Sequence, residues 1–338
     1  MEESKPVIAI YDVRGIQNYI FKTNKVKEIV GASKIVDKLI INEFKNAINQ
    51  EKIENTIIDW ENAEKFEFDN NKNIQIEVLY YGGGNLVALF RTAELCSNVS
   101  IQMSINIMKK AYGLSLAYAM VEKTTDYKSD WKKLKLKLSN IKATTPTNEP
   151  AGILPVVQYD VITNQPLSKM YNGKKVSYEA HQKLVEFDNI KDDDMYMKQF
   201  DQMRTSDTEG LIAIVHIDGN SMGKNIGNIM KNTNTYEEAV NKMRKISNNI
   251  HKTFEVEAIN NVKSNMESIC KKHRIELKEN KMPFRPLIQA GDDITFVCNA
   301  RISLDIVKEY INTIKEKYMY DNNYKYSACG GIAIILML

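Results

Sequence analysis

The sequence predicts an α+β protein in which one β-α-β-β-α-β unit is used twice in tandem around an irregular linker. Three observations carry this reading. Two apolar runs, residues 7–11 and 211–217, each lead into an aspartate, Asp12 and Asp218, and then into a glycine turn at Gly15 and Gly219. Later, two pairs of apolar runs flank short turns, Gly82-Gly83-Gly84-Asn85 in one half and Ala290-Gly291-Asp292-Asp293 in the other. The interval from aspartate to turn is 72 positions in the first half (Asp12 to Gly84) and 74 in the second (Asp218 to Asp292), so spacing repeats as well as order.

In the first unit the strand at 7–11 is followed by a long helical segment to about residue 53, then by strands at 74–80 and 86–90. An amphipathic helix near 92–111 and a strand at 114–121 complete it, and the run from Trp131 to Leu138 predicts a further helix packed on the unit. In the second unit Thr235-Tyr236-Glu237-Glu238 has the form of a capping box and opens a helical stretch, broken along its length, to about His273. Strands at 286–289 and 294–298, a helix at 303–318 and a strand at 327–336 follow. The sequence stops at Leu338 directly after that strand, so the second unit is expected to be one helix shorter than the first. Each unit reads as a ferredoxin-like fold, an antiparallel sheet with helices on one face.

Between the units lie four of the seven prolines, from Pro146 to Pro166, then Asn172-Gly173-Lys174-Lys175 and the acidic run Asp192-Asp193-Asp194. The expected division is therefore 1–140, a linker at 141–206, and 207–338. With 46 basic against 43 acidic residues the net charge is only +3, so any phosphate-bearing ligand must be held locally and not by a basic surface. No apolar run reaches the roughly 18 residues that span a bilayer, and the N-terminus has no signal pattern, so a cytoplasmic protein without membrane partners is expected. The four cysteines and four histidines are scattered, which argues against a disulfide scaffold, a zinc site or a histidine-based metallohydrolase.

The candidate chemistry lies in the second unit. Its first strand and its hairpin would be neighbours in the sheet, bringing Asp218, Asp292 and Asp293 to one edge. Three carboxylates without an adjacent cation in the sequence suit Mg²⁺ or Mn²⁺, hard ions that take carboxylates together with substrate phosphates. The plain alternative is a hairpin turn, for which Gly and Asp are favoured on backbone grounds. Gly219, Gly223 and Gly291 would let phosphate approach the backbone, and Lys224 would open a following helix; a solvated surface lysine is the competing reading. Arg285 can pair with phosphate or with a carboxylate. The first unit keeps Asp12 but has Gly84-Asn85 in place of the acidic pair, so it is not expected to hold two ions; its glycines either admit a nucleotide or make a tight turn.

As a set, these motifs resemble the CRISPR polymerase family, the tandem-palm large subunit of type III CRISPR effector complexes and stand-alone relatives of its second palm, with a wider likeness to GGDEF nucleotide cyclases. The residues that carry the resemblance are Asp12-Val13-Arg14-Gly15-Ile16-Gln17, Gly82-Gly83-Gly84-Asn85, Ile217-Asp218-Gly219-Asn220-Ser221-Met222-Gly223, Arg285-Pro286, Ala290-Gly291-Asp292-Asp293, and Ser327-Ala328-Cys329-Gly330-Gly331-Ile332-Ala333. The resemblance implies synthesis of cyclic or linear oligonucleotide messengers from ATP in antiviral defence. It assigns metal binding and catalysis to Asp218, Asp292 and Asp293. It places nucleotide contacts at Gly219, Asn220, Ser221, Gly223, Lys224, Arg285 and Gly291, with Gly82, Gly83, Gly84 and Asn85 facing the acceptor nucleotide.

Three departures stand out. Ala290 replaces the first glycine of the family's Gly-Gly-Asp-Asp, which keeps both carboxylates and narrows the turn's conformational range. No His-Asp nuclease motif is present, and Tyr159 to Pro166 looks like a zinc knuckle without its cysteines. A C-terminal helical docking domain is not expected either, which counts against membership of an RNA-guided complex. Ala290 and the shorter second unit favour an alternative function, a catalytically inactive nucleotide- or RNA-binding sensor; a subunit of a ribonucleoprotein complex is a further alternative. Nucleoside triphosphates are the expected ligands; RNA, other defence subunits and a second copy of the chain stay open as partners.

Overall fold

The computed structural model describes residues 5–61, 65–82, 84–144, 156–190, 195–204, 210–277 and 281–336, and it is an α+β structure. Strand β1 (Val7–Arg14) is followed by three helices, α1 (Ile16–Ile20), α2 (Val26–Val36) and α3 (Leu39–Gln50), where one long helical segment is expected from the sequence. The chain breaks before α3 because Lys38 takes a left-handed conformation, φ 56°, which a continuing helix cannot contain. A short strand β2 (Thr56–Ile57), then β3 (Ile76–Gly82), β4 (Asn85–Phe90), helix α4 (Ala93–Lys110), β5 (Ser115–Glu122) and α5 (Tyr127–Thr144) complete the first half. The strand order is β2-β3-β4-β1-β5. β1 is apolar without alternation because it is a central strand with both faces covered: α3 and α4 pack on it, and α5 lies along β5 and β1.

The second half begins with β8 (Leu211–Gly219), numbered after two strands of the linker, and continues with helices α7 (Met222–Met230), α8 (Tyr236–Ile250) and α9 (Ala258–Lys272), which follow the linker helix α6. Strands β9 (Phe284–Ala290) and β10 (Asp293–Asn299), helix α10 (Ser303–Lys315), a small hairpin β11 (Tyr318–Tyr320) and β12 (Asn323–Lys325), and β13 (Ala328–Leu336) follow. The sheet order is β13-β8-β10-β9. In both sheets the opening strand lies between the last strand and the second strand of the hairpin. Thr235 caps α8 by accepting the Glu238 N–H at 3.1 Å, while the Glu238 carboxylate reaches one residue further back than a capping box requires, to the Asn234 N–H at 2.9 Å.

The expectation of an irregular linker at 141–206 needs correction. α5 runs to Thr144, and the described part of the linker holds a hairpin, β6 (Leu167–Tyr171) and β7 (Lys174–Ser177), and the helix α6 (Tyr178–Asp188). Asn172 and Gly173 both take positive φ at the hairpin turn, and Ser177 caps α6 by accepting the Ala180 N–H at 3.1 Å. α6 packs so tightly on α2 that a Cβ at Gly31 would lie 1.8 Å from the Lys183 carbonyl oxygen. The run Asp192-Asp193-Asp194 and prolines 146, 150 and 155 lie outside the described residues. No described helix is long and apolar enough to cross a membrane.

The two halves are clasped by α8. Arg244, 6% exposed, donates from Nη2 to Glu77 Oε1 at 2.7 Å, from Nη2 to the Val78 carbonyl at 3.1 Å and from Nε to the Leu79 carbonyl at 3.0 Å. Glu77 on β3 is fully buried and also accepts the Phe68 N–H at 2.6 Å. Burial pushes its carboxyl up from the ordinary value even with Arg244 beside it. Around the start of α8, Tyr236 meets Tyr127 edge to face at 5.3 Å, and Lys128 Nζ donates to the carbonyls of Lys231 and Thr233. Removing one partner of such a pair leaves an uncompensated buried charge. Arg244→Met is therefore expected to cost about 3 kcal/mol in chemical denaturation, and the double change with Glu77→Gln to recover part of that loss.

Candidate functional site

The acidic turn is built by strand register. β10 pairs with β8 as far as Ile294 opposite Ile217, so the next step along both strands sets Asp293 opposite Asp218. Side chains alternate along a strand, so His216 and Asp218 on β8 and Asp293 and Thr295 on β10 share one face. Between β9 and β10 the turn is made by Gly291, φ +69°, while Ala290 is an ordinary strand residue paired with Asp293. The left-handed position is thus occupied by the glycine that is present, and Ala290 does not restrict the turn. Gly219 is needed for a different reason: a Cβ there would lie 2.8 Å from both Cβ and Oδ2 of Asp292, so its bare Cα seats that side chain. Gly223 by contrast faces open space.

Asp292 and Asp293 are held where a charge is costly. Burial, with smaller contributions from Asp218 and Asp293, pushes Asp292 up to about 6. Asp293 is also raised by burial and by Asp218, with His216 opposing. His216 Nδ1 lies 3.2 Å from Asp293 Oδ1 and 3.0 Å from Thr295 Oγ1, and Asp293 Oδ1, though buried, makes no hydrogen bond. Among the described residues no three His, Cys, Asp or Glu side chains form a ready-made cage for an ion. Mg²⁺ does not need one, since it commonly takes one or two carboxylates and completes its shell with water and substrate phosphate. Hard carboxylate donors, two of them raised by burial, fit such an ion.

The first half is electrically different. Asp12 pairs with Lys142 Nζ of α5 at 2.5 Å. Its hairpin turns at Gly84, φ +76°, with Gly82 opposite Asn85 in register and Asp12 opposite Asn85 across β1 and β4; Gly83 lies outside the described residues.

The two hairpins face one cavity of about 1170 Å³. Gly82, Gly84 and Asn85 line it from the first half, and Gly223, Gly291, Asp292 and Asp293 from the second. Arg285 lines it too, but its guanidinium is buried and donates to the carbonyls of Met197, at 2.7 Å, and Tyr196, at 3.0 Å. Asp218, Asn220, Ser221 and Lys224 are exposed and lie outside its lining. Ser221 begins α7 in a left-handed conformation without capping through its side chain, and the Asn220 N–H donates to the Ser327 carbonyl at 2.8 Å. His216 is the site residue that the sequence reading passes over. Its spacing of two from Asp218 on a predicted strand is the signal that it shares the aspartate's face.

No protein-family model and no curated protein matches the chain. Solved structures do. The apo Csm1–Csm4 cassette is similar at 10% identity over 99% of this chain and 50% of the other, with a TM-score of 0.59. The same cassette in complex with pppApA gives 11% identity over 98% and 50%, with 0.58. Csm1 of T. onnurineus gives 11% over 98% and 48%, with 0.58. These neighbours are Csm1 proteins of type III CRISPR Csm complexes, the group that the sequence motifs resemble, and at such identity the likeness is one of fold. The chain spans about half the length of the solved chains it matches.

The raised Asp292 carboxyl has a stability consequence. A carboxyl raised on folding makes its ionisation costly. The cost is absent below about pH 4, grows between pH 4 and about 6, and is complete above that. Without divalent ions, Asp292→Asn is therefore expected to stabilise the protein by roughly 1 kcal/mol above about pH 6.5, after allowing for solvent screening, and by almost nothing near pH 4. Thermal unfolding of both proteins across this range measures the difference, and added Mg²⁺ is expected to shrink it.

Proposed function

We propose that the chain is a metal-dependent nucleotidyltransferase that condenses ATP into cyclic or linear oligonucleotide messengers for antiviral defence. In this reading the two sheets are tandem ferredoxin-like palms, with approximate bounds 1–140 and 207–338 about the linker, and only the second is catalytic. The observation that carries it is the single cavity shared by the two hairpins, with Asp292 and Asp293 on one wall and Gly82, Gly84 and Asn85 on the other. Support comes from the fold neighbours, since Csm1–Csm4 cassettes have been solved with AMPPNP, with one ATP and with cA4.

The condensation joins a 2′ or 3′ hydroxyl oxygen of one nucleotide to the α-phosphorus of the other. The bond from that phosphorus to the bridging oxygen breaks, pyrophosphate leaves and the hydroxyl proton is given up. Divalent ions on Asp218, Asp292 and Asp293 would supply activation of the hydroxyl and charge neutralisation at the leaving pyrophosphate. The chain's own contribution is positional. The register of β8 and β10 fixes the carboxylates at one end of the sheet, and Gly219 seats Asp292. Gly223, whose Cα faces open space, leaves room for phosphate on the same wall. Across the cavity the glycine turn between β3 and β4 would receive the acceptor nucleotide without a metal, since Lys142 already neutralises Asp12.

Incubation with each nucleoside triphosphate and Mg²⁺ or Mn²⁺, followed by mass spectrometry, is expected to show oligoadenylate products from ATP. Combined Asp292→Asn and Asp293→Asn changes are expected to lower the rate at least about 100-fold without unfolding the protein. Undiminished synthesis by that variant would remove the assignment.

A further inference from the structure

The helical stretch after Thr235 widens instead of breaking. Residues His251–Glu257 form a π-helical turn between α8 and α9. Such a turn is seldom retained without a local gain, and it occurs often at functional sites. One side of it is anchored in the C-terminal core. Phe254, 1% exposed, meets Tyr326 edge to face at 5.3 Å, and its carbonyl accepts the Tyr310 hydroxyl at 2.8 Å. The other side carries His251 and Glu255, both of which line the cavity between the hairpins.

Glu255 uses its two oxygens for two tasks. Oε1 accepts the Gly291 N–H at 2.9 Å, gripping the left-handed residue from which Asp292 and Asp293 extend. Oε2 lies 3.0 Å from His251 Nδ1. With Nδ1–H donated to that carboxylate, the half-exposed imidazole is oriented, and in its protonated form, which the carboxylate favours, Nε2–H is the second donor. Glu255 holds the imidazole above its ordinary pKa; partial burial opposes it, Glu61 adds to it from the first half and Lys38 opposes it more weakly. Of the other cationic groups lining the cavity, Lys34 pairs with Asp37, Arg285 donates to backbone carbonyls and Lys135 lies over the Trp131 ring at 5.2 Å, while Lys38 stands on the first-half wall within electrostatic reach of His251. His251 is thus placed beside the acidic turn and tied to it through one carboxylate.

We propose that His251 contacts a phosphate oxygen of the nucleoside triphosphate through Nε2, and that Glu255 is the positioning residue that sets both this imidazole and the Gly291 turn. The proposal deepens, and rests on, the function proposed above. Nothing in the sequence marks either residue: they are one His and one Glu within a helical stretch.

Calorimetric titration of ATP with Mg²⁺ into the full chain tests it. His251→Ala is expected to weaken ATP binding about tenfold, as loss of a charge-assisted hydrogen bond does. His251→Gln, which restores a donor, is expected to recover most of that loss, and both variants should unfold at the temperature of the unaltered chain. Glu255→Gln keeps an acceptor for the Gly291 N–H but turns an amide donor toward Nδ1. It is expected to weaken binding while leaving thermal stability in place. ATP binding by His251→Ala as tight as that of the unaltered chain overturns the proposal alone. Absence of ATP binding by the unaltered chain overturns the proposed function and this inference with it.

Discussion

Arg244 places a guanidinium from the second half of the chain inside the first. It meets the fully buried Glu77 and two carbonyls of the same strand, β3, whose far end is the Gly82 turn. An ion pair removed from water is a poor source of stability, because desolvation of both partners cancels most of their attraction. What it gives is registry, since a displaced α8 would strand two buried charges. α8 continues through the π turn into the grip on Gly291, so one helix touches the strand leading to the first hairpin and the turn of the second. The separation of the two hairpins across the cavity is a consequence of that helix.

The two halves share a strand order and differ in how they treat the aspartate that ends their first strand. In the first, α5 covers the sheet and its Lys142 neutralises Asp12. In the second, Asp292 and Asp293 are added beside Asp218, and burial raises both added carboxyls. The first arrangement is complete as it stands, whereas the second leaves negative charge in a half-buried place with His216 as a nearby partner. The near-balance of charge over the whole sequence, +3, fits a site that meets phosphate through local groups and not through a basic surface.

The parts of this architecture fixed by short-range pattern were legible in advance. The apolar strands that carry Asp12 and Asp218, the two hairpin turns and the start of α8 at Thr235 lie where the sequence places them, although β1 runs on three residues past its expected end, to Arg14. The linker was not, because its prolines and charges obscured a hairpin whose Asn172-Gly173 turn is itself a strong signal. Gly219, which the sequence offers as room for phosphate, is filled by Asp292, a contact between residues 73 positions apart in sequence. Arg244, Glu255 and His251 were invisible for the same reason. Their roles come from what the fold brings near them.

In the proposed reaction two nucleotides meet in one cavity, with the ions held by the second half alone. Crystals grown with a non-hydrolysable ATP analogue and Mn²⁺ would show this by anomalous diffraction. The expected result is two nucleotides, one against Gly82, Gly84 and Asn85 and one against Gly291, with anomalous peaks at Asp218, Asp292 and Asp293 and none at Asp12. A manganese peak at Asp12, or nucleotide bound away from the cavity between the hairpins, would contradict it.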